Sequence, residues 1–106
     1  MGRIVIAVYR PRPGKEARLL ELMKEHVPIL RGEGLATDRR SVIMRAKDST
    51  IVEVFEWKSA EAIQQAHSNP VVQAMWARFN EACFYDCIGN LEESKQLFSD
   101  FEPVDF

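Results

Sequence analysis

Every residue from Ile4 to Tyr9 is apolar or aromatic, and Pro11 and Pro13 close the run. The segment Arg3 to Arg10 is rich in β-branched side chains and reads as a strand. Ile4, Ile6 and Val8 share one face, and Val5, Ala7 and Tyr9 share the other. A strand that is apolar on both faces must be covered on both. One layer of helices covers only one. Any fold for this chain must therefore supply a second cover. The sequence does not say which face the helices take.

The rest of the chain supplies the helices. Pro13-Gly14 opens a helix on which Leu19, Leu22, Met23, His26 and Leu30 recur at helical spacing. Pro28 predicts a kink near Val27, and Gly32 and Gly34 end the helix. Thr37 to Arg45 and Thr50 to Trp57 read as two strands joined by the polar turn Lys47-Asp48-Ser49, an antiparallel hairpin. The second of these puts Ile51, Phe55 and Trp57 on one face and Val52 and Val54 on the other. Ser59 caps a further helical region, which Ser68-Asn69-Pro70 interrupts. It resumes with Val72, Met75, Trp76, Phe79 and Cys83 on one side. Phe84 to Ile88 suits a fourth strand and Leu91 to Leu97 a short helix. Phe98, Phe101, Val104 and Phe106 predict a tail that packs on its own domain or on a partner.

The order β-α-β-β-α-β defines an α+β, ferredoxin-like fold with an antiparallel sheet and helices on one face. The 106 residues form one domain, with a core of about 3–88 and a C-terminal extension of about 89–106. Two such sheets packing face to face would bury the remaining apolar surface, so a homodimer through the sheet face is expected. A formal net charge of -2 does not suggest a nucleic-acid partner. No apolar run reaches membrane-spanning length, and no signal peptide is legible, so the expected location is the cytoplasm. Cys83 and Cys87 read as two free, mostly buried thiols. No phosphate loop, nucleophile elbow or metal-ligand spacing occurs, and no metal is expected.

The run Glu56-Trp57-Lys58-Ser59-Ala60-Glu61-Ala62, then His67-Ser68-Asn69-Pro70 before an aromatic-rich helix, resembles the dimeric α/β-barrel proteins of the antibiotic-biosynthesis-monooxygenase type. Arg12-Pro13-Gly14-Lys15-Glu16-Ala17 resembles their first strand-to-helix turn. The resemblance covers roughly residues 3–88. It implies a dimeric barrel with a pocket between helices and sheet in each half. The group includes cofactor-independent quinone-forming monooxygenases, haem-degrading oxygenases and small proteins with no assigned reaction. The haem-degrading branch uses an Asn on the first strand and a Trp and a His on the second helical region. Here the strand middle is Ile6-Ala7-Val8, and His67 and Ala77 stand where that Trp and His would be. The triad is absent.

His67 is the candidate catalytic residue. An imidazole there can take a proton from a phenolic substrate, making an electron-rich anion that reacts with dioxygen. Its alternative role is to close a helix end on a backbone carbonyl. Tyr9, Trp57, Trp76 and Phe79 are candidate substrate-binding residues, with plain core packing as the alternative. His26, on the apolar side of the first helix, reads as a core or interface histidine that needs partners for its ring nitrogens. Arg10, Arg12, Lys15 and Arg18 read as a solvated basic patch. The reading is a small dimeric protein with an aromatic-lined pocket, a cofactor-independent monooxygenase of a small aromatic or polyketide-like substrate. The alternative is a non-catalytic ligand-binding or stress-response module.

Overall fold

Strand β1 (Arg3–Pro11) lies inside the sheet and pairs antiparallel on both sides. The computed structural model describes residues 1–106. The remaining elements are α1 (Glu16–Gly32), β2 (Val42–Arg45), β3 (Ile51–Trp57), α2 (Ala60–Ala66), α3 (Pro70–Ala82), β4 (Cys83–Asp86) and β5 (Glu102–Pro103). Two 3-10 turns, Ile88–Asn90 and Glu92–Lys95, join β4 to the tail. The sheet order is β4-β1-β3-β2-β5, with every pair antiparallel. This is the expected ferredoxin-like core with one added edge strand. No helix is long and apolar enough to cross a membrane.

Two predicted caps form. The Ser59 hydroxyl accepts from the Ala62 N–H, and the Asn69 side-chain oxygen accepts from the Val72 N–H, with Pro70 in the first turn of α3. The helices take the face of β1 that carries Val5, Ala7 and Tyr9. Leu19, Met23, Leu30, Val72, Met75 and Phe79 fill the space between them and the sheet.

The opposite face is covered by the chain itself at one end only. Leu91 is 1% exposed and packs on Val8 and Val52, with Met44, Ile88 and Phe101 around it. At the other end Ile4, Ile6 and Val42 are 58%, 54% and 51% exposed. The tail thus docks on its own domain through Phe101 and β5, while Leu97, Phe98 and Phe106 stay exposed.

Several local expectations shift. The strand expected from Thr37 starts at Val42, because Arg31 reaches across the loop and donates to the carbonyls of Thr37 and Arg39. Ahead of it, the bridge Ala36 to Trp57 and the Thr37 N–H on the Glu56 carbonyl keep the chain beside β3. Helix α1 runs unbroken through Pro28. The expected helix at 91–97 is a 3-10 turn, with the Leu91 carbonyl accepting from both the N–H and the hydroxyl of Ser94. Cys83 is buried as expected, but Cys87 is exposed, since it lies beyond β4 in the turn where Asp86 accepts its N–H. Arg10 keeps a part-exposed side chain, as expected, and is balanced by Asp86 and Asp48, with Thr50 beside them. Arg12 lies over the Phe84 ring, 3.9 Å from its centroid.

Candidate functional site

A cavity of about 550 Å³ opens between the sheet and helices α1 and α3, with His67 at the end of α2 on its margin. Small side chains make room for it. Val5 and Ala7 form its floor on β1, and Ala77 gives space on α3. Phe55, Trp57 and Trp76 supply aromatic walls. Both tryptophans of the chain therefore face the same space. The volume falls in the range of small-molecule sites, and the mix of aromatic walls with a few polar groups is typical of them.

Period-two alternation carries four residues of β3 to the helix side: Ile51, Glu53, Phe55 and Trp57. Glu53 is thereby driven into the core, fully buried, opposite Ala7 of β1 and Ile43 of β2. A buried carboxylate needs partners. Its Oε1 accepts the Tyr9 hydroxyl at 2.9 Å and lies 2.8 Å from His26 Nδ1. Its Oε2 has no partner. On the far side of the His26 ring, Trp76 Nε1 donates to His26 Nε2 at 3.3 Å. Because Nε2 accepts, the His26 proton sits on Nδ1 and points to Glu53. The four side chains form one line: Trp76 to His26 to Glu53, with Tyr9 joining at the carboxylate. Burial pushes the Tyr9 hydroxyl well above its ordinary range, and the Glu53 charge adds to the effect, so Tyr9 serves as a donor. Tyr85, which stacks near Tyr9, is pushed up to about 12 by burial.

His67 closes α2 and stands on the rim of this cavity. Its Nδ1 lies 2.8 Å from the Ile63 carbonyl oxygen, so Nδ1 carries the proton and Nε2 is left as an acceptor. The ring also meets Trp76 edge-on, with centroids 5.3 Å apart. Both roles considered for His67, closing a helix end and offering a basic nitrogen, are compatible with this geometry. Trp76 thus touches both histidines of the chain, one on each side.

Of the expected substrate-binding residues, Tyr9, Trp57 and Trp76 line the cavity together with His67. Phe79 does not. It is fully buried behind the wall, packed on the rings of Tyr9 and His26 at 5.4 and 5.1 Å. One turn along α3, Trp76 takes the wall position. The sequence alone does not single out Glu53, and it makes His26 a core or interface residue. The one available signal was a glutamate at an inward position of an otherwise apolar strand face.

Solved structures share this fold. The structure of Rv0793 from Mycobacterium tuberculosis superposes with a TM-score of 0.64 at 20% identity, covering 81% of this chain and 89% of that one. The NE2512 protein of unknown function from Nitrosomonas europaea gives 0.56 at 18% identity, covering 78% and 80%. No protein of curated function matches in sequence. The family model for antibiotic biosynthesis monooxygenase matches residues 3–78, which hold β1 through most of α3 and nearly every residue of the cavity. The chain belongs to the antibiotic biosynthesis monooxygenase family.

Proposed function

We propose that this protein binds a small phenolic or enolisable aromatic of the anthrone kind and oxygenates it with dioxygen, without a bound cofactor. The observation that carries the reading is the cavity: aromatic on its walls, closed on the sheet side, with a basic imidazole nitrogen of His67 at its rim. An aromatic ring fits between Trp57 and Trp76 by stacking and edge contacts. The enol hydroxyl of that ring meets His67 Nε2, which takes its proton. The resulting anion is electron-rich and can reduce dioxygen directly. The overall change is a ring CH₂ plus O₂ giving a ring C=O plus water, so the substrate itself supplies the electrons.

The same reading includes pairing of two copies through the outer sheet face, where Ile4, Ile6 and Val42 form an exposed apolar strip. A second sheet would cover what the tail leaves open.

Both tryptophans report on cavity occupancy. Anaerobic titration with dithranol, a dihydroxyanthrone, should quench their fluorescence. Admitting oxygen should then consume one O₂ per quinone formed, and His67→Ala should slow this by roughly 100-fold, the usual scale for loss of a proton acceptor. Full activity in His67→Ala removes His67 from the mechanism. Quenching without oxygen uptake in the wild type would instead favour a non-catalytic binding module.

A further inference from the structure

We propose that His26, held by Glu53, is a second base of the cavity, and that it removes the carbon-bound hydrogen whose loss breaks the O–O bond of the oxygenated substrate. This rests on the oxygenase reading above.

The oxygenation takes two hydrogens from the substrate. The first is the enol hydrogen, moved from the ring CH₂ to oxygen on enolisation, and it leaves as a proton to His67 Nε2. The anion then transfers electrons to dioxygen, a C–O bond forms at the ring carbon, and the peroxide takes the proton back. The second hydrogen sits on that same carbon. A base must remove it so that the C–H pair becomes the new C=O bond while O–O breaks. The departing hydroxide then takes the proton from the base and leaves as water. One proton goes out and returns at each step, so both histidines end neutral.

The geometry fits His26 to the second step. Its ring is part of the cavity wall. The Nδ1–H is anchored on Glu53 Oε1 at 2.8 Å, which fixes the tautomer and leaves Nε2 as the basic atom. A carboxylate behind the ring stabilises the imidazolium that forms when Nε2 takes a proton. The only group now on Nε2 is the Trp76 indole N–H, at a long 3.3 Å. Such a contact yields readily to a substrate. Bringing a carboxylate into the core to hold a neutral imidazole carries a desolvation penalty that apolar side chains would avoid, so packing alone does not call for this arrangement.

The test follows oxygen uptake and quinone formation together, with dithranol as substrate. Wild type should give one quinone per oxygen throughout. His26→Gln and Glu53→Gln should still take up oxygen, but quinone should lag by roughly tenfold or more, with peroxide accumulating. His67→Ala should slow both signals in parallel. Trp76→Phe, which frees Nε2 and keeps an aromatic wall, should speed quinone formation relative to uptake. It also guards against a His26 variant that fails to fold. Unchanged quinone-to-oxygen coupling in Glu53→Gln and Trp76→Phe would overturn the assignment of His26 alone. A wild-type protein that leaves dithranol untouched would overturn the oxygenase reading and this one with it.

Discussion

His26 Nδ1 and Glu53 Oε1 lie 2.8 Å apart with both side chains almost wholly withdrawn from solvent, at 4% and 0% exposure. Removing the carboxylate strands two buried donors, the His26 N–H and the Tyr9 hydroxyl. Glu53→Ala should therefore lower stability by about 3 kcal/mol or more. Glu53→Gln keeps an acceptor oxygen for both and should lose far less. Urea denaturation of the two variants separates them. Equal midpoints for Glu53→Ala and wild type would mean that the network holds nothing together.

The outer sheet face offers a sharper probe of pairing. Val5 and Ala7 look into the cavity, so a charge there disturbs the site and not a surface. Ile6 is 54% exposed in the single chain, and Asp is tolerated there only if the face stays in water. Ile6→Asp should give a soluble monomer where the wild type runs as a dimer in sedimentation. A wild-type monomer, or an unchanged dimer in the variant, counts against pairing through this face.

The tail contributes to the core as well as to the surface. Leu91 fills the outer side of the sheet over Val8 and Val52. Leu91→Ala should lower stability by about 2–4 kcal/mol, the range for a buried leucine truncated to alanine. Limited proteolysis should show faster cleavage after residue 90 in the variant. A loss below about 1 kcal/mol would mean that the tail can leave without consequence.

Asp86 is held down to about 2, first by the Arg10 guanidinium and then by the Asn90 amide and the Cys87 N–H. Its unfolded value is near ~3.9. A carboxyl depressed on folding stabilises fully above the unfolded value and loses that contribution as pH falls through the folded one. Asp86→Asn should thus be less stable than wild type near neutrality, and the gap should close between about pH 4 and pH 2. Denaturation curves across that window decide it.

The two thiols should respond differently. Cys83 is buried, and burial pushes it up to about 11, while Cys87 is exposed. A thiol reagent should titrate one cysteine in the native protein and two after denaturation. Two fast thiols in the native state would place Cys83 in solvent.

The sequence made the sheet legible where it used simple alternation. The two-sided apolar run at Ile4–Tyr9, the hairpin around Lys47–Ser49 and the caps at Ser59 and Asn69 all act within a few residues, and all form. The candidate site was half legible. His67, Trp57, Trp76 and Tyr9 are brought to one cavity, because they lie at ends and inner faces of elements that the order alone places together. Glu53 was not legible, because a charged residue between two valines suggests an outer face, whereas its alternation with Ile51 and Phe55 places it inside. Its bond to His26 joins residues 27 apart, and nothing local announces it. The shortened β2 has the same origin. Arg31 takes carbonyls that a neighbouring strand would have taken, and it does so from a different element.

The short strand β5 lays Glu102 and Pro103 against Arg45 and Met44, and the Val104 N–H donates to the Ile43 carbonyl. Proline has no N–H to offer to a further strand, so hydrogen bonding along that border stops at Pro103. The last residues act as a selvedge: they finish one margin of the sheet and keep foreign strands from adding to it. A chain shortened before Phe101 would bare β2 as an unprotected edge, and its first fault would be aggregation rather than loss of the cavity.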